Sequence, residues 1–376
     1  MRVLVDATAV PVDRGGVGRY LDFLLPALAG TDVDLVVVSQ SRDAEALAAR
    51  TPGAEVVAIS ERLSGRPARL AWEQTRLPAL ARRTRADVVH HPHYTMPLVT
   101  GTPGVVTLHD ATFFSHPEVH STVKARFFRS AIRGAVRRAA ALVVPSAATR
   151  DAVIRYAGGR SADFHVAPHG VDTTVFRPAG AAEVAAARQW LELGPVPYVA
   201  LLGTPEPRKN GPALVRALGR AVTDRDEPPA LVLAGGPGWD EELDGAIAAV
   251  PAHLRVVRPG YVPLEHLAGL LTGSEVLAYP SKGEGFGLPV LEAMACGAAV
   301  LTTRELSLPE VGGEAVAYCG TDEASIAVGL RALLEDPGLR RRLAEAGLAR
   351  AAGFTWASSA RVHLEAYRAA AARRDG

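Results

Sequence analysis

Two glutamates, Glu284 and Glu292, bracket the stretch Gly285-Phe286-Gly287-Leu288-Pro289. The apolar run Val276 to Pro280 ahead of them reads as a buried strand. Val290 to Ala295 reads as a helix with Pro289 at its first position, where a missing N–H costs nothing. Strand, glycine loop and helix start let a ligand come close to backbone and turn unpaired N–H groups toward an anion such as a diphosphate. Carboxylates repel phosphate, so Glu284 and Glu292 suit sugar hydroxyls, and the phosphates need cations from elsewhere. Those cations stand in Gly203-Thr204-Pro205-Glu206-Pro207-Arg208-Lys209-Asn210, after the strand-like Tyr198 to Leu202. A third stretch, Gly104 to Leu108, ends in His109-Asp110, and ligand sites in α/β sheets gather at such strand ends. There Asp110 could orient the imidazole. His90, His91, His93 and Tyr94 mark one more strand end. They could hold a metal, but no carboxylate stands beside them, and acceptor contact or packing suits His91 and Tyr94 better.

These residues need a scaffold of alternating strands and helices. Strands are expected at 2–6, 35–38, 55–59, 87–90, 104–108, 141–145 and 163–167, then at 198–202, 231–234, 256–262, 276–280, 299–303 and 315–318. Their alternation with helical stretches predicts parallel, doubly wound α/β sheets. The first strand runs through a loop holding Gly15-Gly16 into a helix from Arg19 to Leu28. That loop lacks the Gly-x-Gly-x-x-Gly spacing of a dinucleotide site. Asp32-Val33-Asp34 imitates a metal-binding Asp-x-Asp, but it opens a strand instead of closing one and is rejected. A terminal helix is expected over 358–372.

The chain has 376 residues, 48% of them apolar, with a net charge of +1, which gives no bulk argument for nucleic acid. Charge is uneven: residues 1–178 carry 22 Lys/Arg against 16 Asp/Glu, and the remainder 19 against 24. Arginines crowd 62–85, and a basic helix spans 120–140 with Phe127 and Phe128 among its cations. A solvated face accounts for these; contact with an anionic acceptor or a membrane surface is the alternative. Two cysteines, Cys296 and Cys319, are too few for a disulfide framework and fit a reducing, cytoplasmic setting. Met1 to Asp6 reads as a strand and not as a signal peptide, and no apolar run reaches the ~20 residues of a membrane span.

The Glu-Gly-Phe-Gly-Leu-Pro wording with Glu292 resembles the Glu-x7-Glu motif of retaining family 4 glycosyltransferases, and the resemblance covers most of the chain. It implies the GT-B fold: two Rossmann-like domains, 1–175 and 176–357, facing a central cleft, with the terminal helix crossing back onto the first. His169-Gly170-Val171-Asp172 resembles the family's hinge, with His169 replacing the usual Asn. The resemblance implies transfer of a hexosyl group from a nucleotide-diphosphate sugar to a hydroxyl acceptor, with no metal and no cofactor. Arg208 and Lys209 would neutralise the diphosphate, aided by N–H groups near Gly16, Gly287 and Leu288. Glu284 would orient the sugar and Glu292 the ribose, while His109 would meet the sugar. Val262 would lie by the base, and Gly15, Gly203, Ser281, Gly285 and Phe286 would complete the donor site. Thr204 stands where many members have another arginine, and Lys282 or Arg14 could compensate. The wording around Arg208-Lys209 is closest to bacterial mannosyl- and rhamnosyltransferases, which makes GDP-mannose the first choice of donor. The acceptor is a glycan, lipid-linked glycan or small molecule. The same fold also serves nucleotide-sugar epimerases and a catalytically silent regulatory subunit.

Overall fold

The computed structural model describes every residue except Asp13, Ser64 and 374–376. The chain divides into two compact units, Met1–Gly170 with Thr355–Gly376, and Val171–Phe354. In the first unit, β1 (Arg2–Asp6), β2 (Asp34–Gln40), β3 (Glu55–Ile59), β4 (Val88–His91), β5 (Gly104–Thr107), β6 (Ala141–Val144) and β7 (Phe164–Val166) form one sheet. Its strand order is β3-β2-β1-β4-β5-β6-β7, and every pairing is parallel. Strand order reverses between β1 and β4, so their carboxyl ends border the crevice where ligands of such sheets bind.

In the second unit, β8 (Tyr198–Leu202), β9 (Ala230–Ala234), β10 (Val256–Gly260), β11 (Val276–Tyr279), β12 (Val300–Thr303) and β13 (Ala317–Cys319) form a parallel sheet. Its order is β10-β9-β8-β11-β12-β13. The reversal falls between β8 and β11, the two strands that the cation loop and the glycine loop follow. The sheet's central strands are buried throughout and, apart from Thr302 and Thr303 at the end of β12, apolar, as helices on both faces demand.

Helix starts depart from the sequence reading in two places. The first helix, α1 (Gly15–Ala29), begins at Gly15, so Gly15 and Gly16 are its first turn and not a preceding loop. Gly15 has φ +49°, a left-handed start that glycine adopts without strain. In the glycine loop, α5 (Leu288–Ala295) starts one residue before Pro289 and takes Gly287, at φ 106°, as its N-cap.

Three further helices matter below: α2 (Arg66–Thr75), α3 (Thr122–Arg138) and α4 (Gly211–Ala221). A last one, α6 (Trp356–Ala372), is capped by Thr355, whose Oγ1 accepts from Ser358 N at 3.1 Å. It packs in the first unit against α1. A hydrogen-bonded chain fixes it there. Tyr367 Oη lies 2.9 Å from His90 Nδ1, and His90 Nε2 lies 2.8 Å from Thr107 Oγ1. Thr107 Oγ1 lies 3.1 Å from Tyr20 Oη, Tyr20 Oη 2.6 Å from His363 Nε2, and His363 Nδ1 2.8 Å from the Ser359 carbonyl. A carbonyl only accepts, so His363 Nδ1 carries its proton, Nε2 accepts from Tyr20, and each earlier group donates in turn. Both histidines are neutral in this arrangement. The sequence reading missed Tyr20, His363 and Tyr367, because their partners are brought together only by the fold.

Candidate functional site

A dense polar constellation lies in the second unit at the carboxyl ends of β8 and β11. Gly203, at φ +135°, turns the chain out of β8, and a Cβ there would come within 2.8 Å of Lys209 Nζ. Only glycine leaves room for that lysine. The following short turn Pro207–Lys209 ends at Asn210, whose Nδ2 donates to the Thr321 carbonyl at 2.7 Å and the Pro280 carbonyl at 3.2 Å. From the other side, Lys282 N donates to the Arg208 carbonyl at 2.8 Å, and Arg208 Nη1 donates to the Gly283 carbonyl at 2.7 Å. Ser307 Oγ holds the glycine loop by donating to the carbonyls of Glu284 and Phe286 at 2.7 and 2.9 Å. The two loops are one body.

Inside it, Arg208 pairs with both Glu206 and Glu284. Lys209 Nζ donates to Tyr279 Oη at 2.6 Å, and that hydroxyl donates to Glu284 Oε1 at 2.6 Å. Ser281 Oγ also donates to Oε1, at 3.0 Å. Burial by itself would raise the Glu284 carboxyl, but Arg208 and Lys209 outweigh it and hold it at about 2. Burial lowers the Lys209 ammonium, with Glu284 acting against it, and raises the Tyr279 phenol far above its usual range. Glu284 is therefore a fixed carboxylate, and Lys209 is a desolvated cation beside it.

The structure brings Gly203, Arg208, Lys209, Ser281 and Glu284 into contact, with Gly285, Phe286, Gly287, Leu288 and Pro289 as the loop and helix start beside them. Thr204 lies in the same loop, half-buried. Glu292 is buried on α5. Val262 follows β10 and is buried. Tyr279, missed because it completes an apolar strand pattern, is the link between the two charged groups. Of the suggested substitutes for the absent arginine, Arg14 is engaged by Asp22 and by Asp43, the latter at 3.1 Å. It is part of the structure of α1.

In the first unit, His109 Nε2 donates to the Pro92 carbonyl at 2.7 Å. Asp110 does not orient this imidazole: its Oδ1 accepts from Thr112 N at 2.9 Å and from Thr112 Oγ1 at 2.7 Å. Burial keeps His109 neutral against the pull of the Pro92 carbonyl and Asp110. Tyr94, at φ 61°, receives a hydrogen bond at its hydroxyl from Asp110 N, 3.1 Å away, and its ring meets His109 edge-on, centroids 5.8 Å apart. His91 is in the core against Gly104 and Met96, and burial pushes it down to about 3. As neighbouring residues of one strand, His90 and His91 point to opposite faces of the sheet. Among the described residues no three His, Cys, Asp or Glu side chains converge to hold a metal.

Two family models match the chain: "Glycosyltransferase Family 4" over residues 14–175 and "Glycosyl transferases group 1" over 186–350. It is 30% identical to the O-antigen chain mannosyltransferase B of Escherichia coli, over 80% of this chain and 77% of that protein. It is also 30% identical to the alpha-maltose-1-phosphate synthase of Mycolicibacterium smegmatis, over 98% of this chain and 99% of the relative. Among solved structures, the HepE protein of Anabaena in complex with UDP-glucose superposes with a TM-score of 0.76 at 20% identity, over 97% of this chain and 98% of that one. The two parallel sheets, the loops at their switch points and these matches together place the chain among the group 1 glycosyltransferases of GT-B fold.

Proposed function

We propose that this transferase moves a hexosyl group, mannosyl first, from a nucleoside-diphosphate sugar to a hydroxyl acceptor with retention of configuration and without a metal. The observation that carries the reading is the joined pair of loops in which Arg208 and Lys209 flank a fixed Glu284 carboxylate. In the reaction the bond from the anomeric carbon to the diphosphate oxygen breaks. A bond to the acceptor oxygen forms, and the acceptor proton passes to the departing phosphate. Charge develops on that diphosphate, where Lys209, Arg208 and the first N–H groups of α5 stabilise it. Glu284 accepts hydrogen bonds from the sugar, and Glu292 from the ribose. His109, neutral with Nε2 committed to Pro92, offers Nδ1 to a sugar hydroxyl. The mannosyl choice leans on the E. coli relative; the alpha-maltose-1-phosphate synthase keeps other hexoses in view.

Thermal unfolding with GDP-mannose, UDP-glucose and dTDP-rhamnose tests the donor. A ligand at 100 times its dissociation constant stabilises by about 2.7 kcal/mol, a rise of several degrees for units of this size. Stabilisation by GDP-mannose with slow release of mannose in the absence of acceptor is expected. Binding without sugar release would point to a silent subunit, and no stabilisation by any donor would overturn the reading. Glu292→Gln should weaken binding of the cognate nucleoside diphosphate by about 1.5–3 kcal/mol, the scale of a charged hydrogen bond. Calorimetry measures this, and unchanged affinity would make Glu292 structural.

The acceptor side extends the proposal to an anionic surface. No helix among the described residues is long and apolar enough to cross a membrane. On α3, however, Val123 is 80% and Phe127 41% exposed, with Arg126, Arg133, Arg137 and Arg138 also exposed. Phe128 and Ile132 face inward, and Arg129 is drawn in to the Phe113 carbonyl at 2.6 Å. On α2, Arg69 is likewise committed, to buried Glu73 at 2.9 Å. The remaining face fits an interfacial helix that meets anionic headgroups. The protein should sediment with anionic vesicles at low salt, less so where the Debye length falls well below ~10 Å, and little after Arg126, Arg133 and Arg137 become Glu. Equal sedimentation with neutral vesicles would remove the electrostatic account.

A further inference from the structure

Tyr279 closes β11 and is wholly buried, yet its hydroxyl lies between the two charged groups of the donor site. It accepts from Lys209 and donates to Glu284, each at 2.6 Å, and the ammonium also lies 4.9 Å from the centre of its ring. Lys209 Nζ and Glu284 Oε1 are held 3.8 Å apart. With so little water, opposite charges at that separation attract strongly, and without the phenol they would close into a direct pair. Such a pair would commit the lysine to the carboxylate. With the phenol in place, one N–H of the ammonium is used and the others stay available. The same hydroxyl helps fix Glu284. Arg208, Tyr279 and Ser281 all converge on Oε1, whereas Oε2 has no hydrogen-bond partner among the described residues.

We propose that Tyr279 is a positioning residue of the transfer reaction: it holds Lys209 off Glu284, so that the ammonium faces the departing diphosphate while the carboxylate presents Oε2 to the sugar. The inference rests on the reading of Lys209 as a diphosphate ligand. It assigns the phenol no contact with substrate and no proton transfer. Its effect on turnover and affinity must therefore run through Lys209 and Glu284.

A double-mutant cycle tests this, with GDP and UDP as calorimetric probes on the full chain. Lys209→Ala should weaken the tighter-binding nucleotide about tenfold or more, and Tyr279→Phe by about five- to tenfold. The double variant should bind no more weakly than Lys209→Ala alone, within about twofold, because coupled residues fail to add. If Lys209→Ala leaves affinity unchanged, the diphosphate reading itself falls. If Lys209→Ala weakens binding but Tyr279→Phe does not, or the two losses multiply, the positioning role falls and the diphosphate reading stands. A second measurement needs no nucleotide. The chain has only three lysines, Lys124, Lys209 and Lys282, so side-chain-labelled lysine gives three signals, assigned by Lys209→Arg. Tyr279→Phe should move the Lys209 signal alone. Should that variant not fold, the wild type decides: the Lys209 side chain must show a nuclear Overhauser contact to the Tyr279 ring, and its absence would overturn the proposal.

Discussion

Lys209→Ala should lower turnover by roughly 10²–10³-fold, the loss seen when one preorganised donor to a transition state is removed. The side chain is 11% exposed and anchored at one N–H by Tyr279, so on the proposed reading it pays little to organise as the diphosphate departs. Around it, Arg208 already serves two carboxylates, and Thr204 stands where many family members carry another arginine. On the proposed reading, Lys209 therefore bears an unusually large share of the neutralisation. Arginine should not substitute for it. The Gly203 Cα lies so near that even a Cβ would meet Nζ at 2.8 Å, and a planar guanidinium is wider than an ammonium. For the same reason Gly203→Ala should reproduce much of the loss by displacing the lysine. Steady-state turnover of the donor identified by thermal shift measures all three variants. Activity of Lys209→Ala within threefold of wild type would sink the assignment.

The second large effect is acid lability of the first unit. His90, His91, His169 and His363 are all buried there. Burial pushes His91 down to about 3 and His363 to about 4, and puts His90 and His169 well below the usual range. These folded values lie below that of an unfolded histidine, about 6.5. Between the two, the unfolded chain binds more protons, so the stability present above pH 6.5 is lost as pH falls. Each such proton contributes up to about 1.4 kcal/mol per pH unit, so four approach a slope on the order of 5 kcal/mol per pH unit near pH 5. Against a domain stability of about 5–15 kcal/mol, that slope is decisive. Asp6 and Glu73, raised by burial, oppose it at the acid end by taking up protons in the fold. Urea unfolding at pH 7.5, 6 and 5 should show the midpoint falling steeply, and His363→Gln should flatten the fall by about one proton. A midpoint unchanged from pH 7.5 to 5 would show that these histidines are not held neutral. The hydrogen-bonded chain explains why His90 and His363 would be: adding a proton to either turns its accepting nitrogen into a donor that faces a hydroxyl already donating to it.

The sequence by itself determined the elements and the chemistry-bearing loops. Alternating apolar runs and helical stretches located both parallel sheets, because buried strands require nearly continuous apolar sequence and turns require glycine and proline. The Glu-Gly-Phe-Gly-Leu-Pro and Arg-Lys stretches were legible because each needs particular residue types in fixed local order. Helix starts at Gly15 and Leu288 were less legible: a left-handed glycine can lie inside the boundary or outside it, and neighbouring sequence does not choose. Only the tertiary structure decided the partners. Glu284 and Lys209 lie far apart in the chain, and nothing local says that the strand residue Tyr279 stands between them. Tertiary packing likewise turned Asp110 toward Thr112 instead of His109 and sent His91 into the core. It also joined His90 to His363 through Tyr20 and Thr107. Hydrogen bonds between distant segments depend on strand order and side-chain direction. The two-residue period of a strand fixes which face a side chain takes, but not what waits for it there.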